Sequence, residues 1–486
     1  MKDLNVSVIQ LDNVVSNNQE NHQPRRKKLP QFVAAFLANL VSITFGAVNG
    51  WPSPSLLILR NPETALGGVP ITVEEESWVS SISYLSAFFF VPVYSYVNQR
   101  WGRKTAGYLT GLPFIVGWLF VIFGDTIIFY LVARFLMGIG GSGVNVFITM
   151  YCGEIAEDAV RGALGTFRSL FANLGVIYIY AAGPYVTIQE MAIISIIVPI
   201  VFLVALFFLP ESPMYLMTKD KEEEAMKSLL WLCRNKEAAE LEMDKLKRVV
   251  TEFKSNSSKK INLKDLLSYR GTRRALLMAF TLAVIQQFSG MYVVMSFCAS
   301  IFEMAGTDLS PHISSVIAGC MLLIGSFFAS FLTDLAGRRI VIIATQIILC
   351  LLPVICLSIY FIAMVAGLPT LLYIVVAEIF TPEARGIATL TTNAVVWLLA
   401  FLIMQFYPLL LTVIKGFGCF WIFSGFGLFG AIYAFFQVPE TKNRSLQSIL
   451  RELNGESQKQ NNKLSRFKRG NKGSFDLNNQ NQINLN

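Results

Sequence analysis

Long apolar runs alternate with short polar segments along most of this chain. Crossing a bilayer core takes roughly 20 residues of apolar helix. On that basis the first half holds predicted spans at 31–51, 77–97, 105–124, 127–149, 163–182 and 190–209, and the second half at 275–297, 312–333, 388–408 and 417–437. One further apolar stretch lies between Arg339 and Glu378. Polar sequence marks the limits of the domains: a disordered N-terminal tail over 1–29, a bundle over 30–210, a mixed-charge segment over 211–273, a second bundle over 274–440 and a tail over 441–486. The tails are rich in Asn, Gln, Ser and Lys, which cannot bury enough apolar surface to fold. The middle segment suits short helices packed beneath the bundles, or else a solvated linker.

The polar punctuation repeats. The first half carries Trp101-Gly102-Arg103-Lys104, then a stretch from Glu154 to Arg161-Gly162, then Pro210-Glu211-Ser212-Pro213. The second carries Ala336-Gly337-Arg338-Arg339, then a stretch from Glu378 to Arg385-Gly386, then Pro439-Glu440-Thr441-Lys442. The acid and base of the middle motif stand seven positions apart both times. A duplicated membrane bundle is the architecture of a transporter. The copies differ in one length: 52 positions separate Gly102 from Glu154, but only 41 separate Gly337 from Glu378. Two crossings between motifs on one side of the membrane do not fit comfortably into the shorter interval, so one of these helices is short or broken. Pro353 and the Gly367–Pro369 segment are the candidates for the turn.

Composition agrees, with 54% hydrophobic and 15% charged residues. Lys and Arg gather in Arg25-Arg26-Lys27-Lys28, the Gly-Arg loops, the central segment and the C-terminal tail, whereas the alternate loops hold only Arg60 and Lys415. The positive-inside rule then puts both termini in the cytosol and makes the number of spans even. The net charge of +8 reports that topology and an attraction to anionic membrane lipid. No compact basic domain exists for nucleic acid. No apolar stretch precedes Leu29, so the first helix acts as the internal targeting signal. The seven cysteines are scattered without a Cys-x-x-Cys pair, which indicates neither a metal site nor a disulfide framework, and nothing calls for a cofactor. With two histidines and no catalytic constellation, the chain does not read as an enzyme.

The motifs together with Arg134-Phe135-Leu136-Met137-Gly138-Ile139-Gly140, Pro210 through Leu216, and Gln286-Gln287-Phe288-Ser289-Gly290 resemble the sugar-porter branch of the major facilitator superfamily. Among its members the chain is most similar to insect facilitated trehalose or glucose transporters. The resemblance implies an all-α membrane protein of two pseudo-symmetric six-helix bundles, twelve helices with the ninth and tenth shortened. It also implies alternating access for a small-molecule sugar at the plasma membrane. In such a protein Arg103, Glu154, Arg161, Glu211, Arg338, Arg339, Glu378, Arg385 and Glu440 form a cytosolic lock between bundles, made of charge-assisted hydrogen bonds that break in one conformation. Surface anchoring of loops is the plainer role for the same charges. The family's Arg at position 214 is Met214 here, so the first half-lock lacks a donor.

Arg134 lies inside an apolar span, where a charge is costly without a partner. It either meets substrate or hydrogen-bonds to backbone. Proton-coupled relatives supply a carboxylate from the first helix, but Phe45-Gly46-Ala47-Val48-Asn49 has none, which favours uniport. The resemblance assigns substrate binding to Gln286, Gln287 and Trp397. The remaining candidates are Ser169 in place of a Gln, Tyr292 in place of an Asn, Tyr373, Asn173 and Asn393. Leu322 and Val396 replace two further asparagines, and helix ten lacks Gly-Pro-x-Pro-Trp. A pocket so altered leaves open a sensor or inactive paralogue, or a carrier of a non-sugar solute.

Overall fold

A computed structural model describes residues 28–64, 68–256, 270–306, 309–351, 357–442, 444 and 446–454. Among them the regular structure is helical. The chain divides into two compact units, Met1–Lys260 and Ile261–Asn486. This boundary falls inside the segment 211–273 marked off by the sequence. The tails 1–27 and 455–486 lie outside the described residues.

In the first unit α1 (Leu29–Gly50) runs through Trp51 into α2 (Pro52–Arg60), and α3 (Val73–Trp101), α4 (Arg103–Ile122), α5 (Ile127–Ile155), α6 (Asp158–Ala182) and α7 (Ile188–Phe208) follow. α3 and α7 both open with capping boxes, Thr72 with Glu75 and Thr187 with Glu190, which satisfy the exposed amides of a first helical turn. α1 packs on α6, α3 on α5, and α4 on α7. The first of these contacts depends on small residues. A methyl group at Gly46 would sit 1.7 Å from the Ala172 carbonyl oxygen, and one at Gly175 would sit 2.0 Å from that of Ile43, so the two backbones touch where lipid offers no hydrophobic drive to hold helices together. Three helices, α8 (Pro213–Thr218), α9 (Glu222–Cys233) and α10 (Lys236–Asn256), complete the unit. They share a small core that includes Leu216, Ala225, Leu229, Ala239 and Met243.

The second unit repeats the arrangement with breaks. Its first crossing is divided into α11 (Arg270–Phe288), α12 (Met291–Ser296) and α13 (Cys298–Ala305), followed by α14 (Pro311–Ala336), α15 (Arg338–Leu351), α16 (Leu357–Ala366), α17 (Leu368–Ile379), α18 (Pro382–Gln437) and α19 (Leu446–Asn454). α11 packs on α18, α14 on α16, and α15 on α18, matching the pairing of the first unit. Among the described residues nine helical stretches are long and apolar enough to cross a membrane. One of them, Ala384–Gln437, has 54 residues, more than twice the requirement of a single crossing. Lys415 divides it with φ 60° and ψ 174°, making two crossings. With α6 and α15 the total among the described residues is twelve.

α15 is described over Arg338–Leu351, 14 residues, and residues 352–356, which follow it, lie outside the described residues. The next crossing is broken at Gly367, where a methyl group would meet Thr345 Oγ1 at 2.6 Å. The Gly367–Pro369 segment is therefore a kink inside the Tyr360–Ile379 stretch rather than the turn between two crossings. Pro353, the other candidate for that turn, lies outside the described residues.

Candidate substrate site and charged motifs

Two glutamines precede the break in the first crossing of the second unit. Gly290 adopts φ +84°, and a Cβ there would meet the Phe423 ring at 2.7 Å, so both conformation and space require glycine. The Ser289 carbonyl released by the break accepts from the buried Tyr360 hydroxyl. Gln287 is 0% exposed and Gln286 4%. Neither the oxygen nor the nitrogen of the Gln287 carboxamide finds a hydrogen-bond partner, and the Gln286 oxygen finds none either. Buried polar atoms are nearly always paired, and an unpaired one costs about 1–3 kcal/mol. Two adjacent residues that carry this cost offer donors and acceptors to a hydroxylated solute.

On α18 two candidates lie one turn apart. Trp397 stacks on Tyr292 with ring centroids 6.2 Å apart and planes 21° apart. Asn393 Oδ1 accepts from the Tyr373 hydroxyl at 3.0 Å. An aromatic face and a carboxamide with an adjacent phenol are thereby lined up along one side of the helix. Leu322 and Val396 are buried, so apolar surface stands at those positions. The candidates in the first unit lie on α6, Ser169 half-buried and Asn173 buried.

The repeated motifs build the same device inside each unit. Arg103 grips Glu154 with two nitrogens, Nη2 to Oε1 at 2.5 Å and Nε to Oε2 at 2.8 Å. Glu211 caps the start of α4 by accepting from the backbone amides of Arg103 and Lys104 at 3.1 Å each. Burial raises the Glu211 carboxyl above the ordinary carboxylate range, against the pull of its backbone donors and of Arg103. Ser212 Oγ donates to Glu154, and Gly102, at φ +98°, leaves room for Glu211. In the second unit Glu440 caps the start of α15 through the amides of Arg338 at 3.0 Å and Arg339 at 3.2 Å. There Arg338 reaches Glu378 through one bond of 2.9 Å. Arg338 Nε, Glu378 Oε2 and Thr441 Oγ1 are buried without partners, so the second copy is looser than the first. These pairings run within a unit. Arg385 is exposed and makes no ion pair among the described residues, and the side chain of Arg161 lies outside those described.

Arg134 is 1% exposed. It donates to the carbonyls of Val48 at 2.5 Å and Val79 at 3.0 Å and to Ser83 Oγ at 3.0 Å, and it lies over the Trp51 ring. Its hydrogen-bonding capacity goes to tying α1, α3 and α5 together, which is the backbone role of the two open to it. Two charged contacts escaped the sequence reading. Arg60 clasps the buried Glu76 through Nε and Nη2, the first bond at 3.1 Å. Arg168 donates to Asn145 Oδ1 at 2.5 Å. Arg168 obeys the same rule as Arg134, a charge within an apolar run, and its signal in the sequence is that position beside Ser169.

Residues 71–453 match the family described as sugar (and other) transporter. The chain belongs to this family. As a member it is a multi-pass membrane transport protein and not an enzyme. It is 29% identical to the facilitated trehalose transporter Tret1 of Polypedilum vanderplanki over 87% of this chain and 88% of that protein. It is 27% identical to the Tret1 of Apis mellifera ligustica with the same shares covered. Its fold is that of the Escherichia coli xylose transporter XylE in a partially occluded inward-open conformation, with TM-score 0.70 and 18% identity over 86% of this chain and 99% of that one. The similarity is to proteins of the major facilitator fold, as the motifs imply.

Proposed function

We propose that this protein is a uniporter that equilibrates a sugar, trehalose or a hexose, across the plasma membrane by alternating access, with both termini in the cytosol. The observation that carries this reading is the Gln286–Gln287 pair, whose buried carboxamide atoms lack protein partners and match the alternating donors and acceptors of a sugar. The Tyr292–Trp397 stack adds an aromatic surface for the apolar face of a pyranose. The printed activity of the Tret1 relatives supports trehalose as the first sugar to test. The hydrogen bonds of Arg134 go to two carbonyls and a hydroxyl, and among the described residues no carboxylate pairs with it, which favours uniport. In this reading the charged motifs hold the cytosolic ends of each bundle rigid, while Arg385, exposed at the start of α18, takes part in the contact that closes that side. The buried Leu322 and Val396 favour a second reading, in which the solute carries fewer hydroxyls than a hexose. Uptake of radiolabelled trehalose and glucose into proteoliposomes tests the proposal. Saturable entry of one of them is expected, and entry of neither would refute it.

A further inference from the structure

Arg134 and Arg168 both lie inside apolar helices of the first unit, and they are used differently. Arg134 has three hydrogen bonds and an aromatic ring, and it is sealed from solvent. Arg168 is half-buried, and its hydrogen bond is the single contact to Asn145. Among the described residues no carboxylate pairs with it. A guanidinium carries five N–H donors in a planar fork, so most of its donors remain available.

Depth makes this contact informative. Arg168 lies ten residues into α6 from Asp158, and Asn145 ten residues before the end of α5 at Ile155. At 1.5 Å per residue each is about 15 Å from the shared turn, and both positions fall inside the predicted apolar spans 127–149 and 163–182. A cation at that depth without a carboxylate is costly, and such residues mark the path of a solute or ion. Asn145 holds one edge of the guanidinium and leaves the rest of the fork for a planar anion, which Arg engages with two parallel bonds. The adjacent Ser169 is half-buried and Asn173, one turn on, is buried, so hydroxyl-binding groups continue along the same helix.

We infer that Arg168, held by Asn145, forms an anion-binding subsite and that the protein takes a hexose bearing a carboxylate, a hexuronate, in preference to the neutral hexose. This rests on the transport reading, because a solute reaches a site between membrane-spanning helices only along a transport path. Charge-assisted bonds are about twice as strong as neutral ones, so the preference is at least tenfold.

The test uses the full chain in proteoliposomes at neutral pH, with labelled glucose and labelled glucuronate, each challenged with unlabelled glucose, glucuronate or the neutral methyl ester of glucuronate. Glucuronate is expected to enter and to compete at least tenfold better than glucose or the ester. Arg168→Gln removes that preference and Arg168→Lys retains part of it, both variants being checked for an unaltered melting temperature. Because the comparison of acid with ester needs only the parent protein, a poorly folding variant does not weaken the test. Entry of glucose with no advantage for glucuronate over its ester overturns this inference alone, as does a preference that survives in a folded Arg168→Gln protein. Entry of neither glucose nor glucuronate into vesicles holding folded protein overturns this inference, and absence of trehalose entry as well overturns the transport reading with it.

Discussion

Replacing Gln287 with Leu separates a substrate-binding role from a structural one, because the two roles predict opposite changes in stability. The carboxamide is fully buried, and neither of its polar atoms has a protein partner. In the sugar-free protein it therefore contributes a desolvation cost of about 1–3 kcal/mol, which a leucine of similar volume removes. With sugar bound, the same two atoms make hydrogen bonds, each with a net contribution of about 0.5–1.5 kcal/mol. Losing both weakens binding by about 1–3 kcal/mol, or roughly 5- to 150-fold. Gln287→Leu should thus melt at a higher temperature than the parent in detergent without sugar, while its apparent affinity in uptake falls. Thermal melts with and without a saturating sugar measure both effects on one sample, since the ligand-induced rise in melting temperature reports affinity. A lower melting temperature combined with an unchanged ligand-induced rise would refute the reasoning, because it would show that the carboxamide serves the fold.

Three further outcomes follow from the charged motifs and the topology. Arg103→Ala should lower the melting temperature more than Arg338→Ala, since the first breaks a two-bond grip joined by Ser212 and the second a single bond; equal losses in thermal melts would count against the asymmetry of the two copies. Arg385→Ala, at an exposed position, should leave stability within about 0.5 kcal/mol while raising cysteine accessibility from the cytosolic side, and labelling identical to the parent would remove Arg385 from the closing contact. A glycosylation acceptor placed between Pro382 and Gly386 should stay unmodified in cells, and its modification would mean that 340–377 crosses the membrane once.

The helices were legible because apolar runs of bilayer length have few alternatives, and the motifs because charge punctuates those runs twice in the same order. The 41-position interval pointed to the Gly367–Pro369 segment, which holds a kink within a crossing rather than the expected turn. What sequence did not show was how the charges would combine. The sequence groups Arg103, Glu154 and Arg161 without assigning pairs, and Glu154 binds Arg103 on α4, a contact made by helix packing across 51 positions. Nor does spacing reveal that the second copy leaves Thr441 Oγ1 and Glu378 Oε2 unpaired where Ser212 and Glu154 meet. Among the pocket candidates, the Tyr373–Asn393 bond and the Tyr292–Trp397 stack depend on how helices broken at Gly290 and Gly367 present their faces. A break of that kind is set by neighbours such as Phe423 and Tyr360, which no local pattern encodes.

The central claim is that a sugar crosses passively, without a proton. Proteoliposomes holding the protein should be given labelled sugar under an imposed inward proton gradient, with and without a protonophore, and followed to steady state. The account predicts that the internal concentration rises to the external one and no further, at a rate the protonophore leaves unchanged. Accumulation above the external level that collapses when the protonophore is added would contradict it.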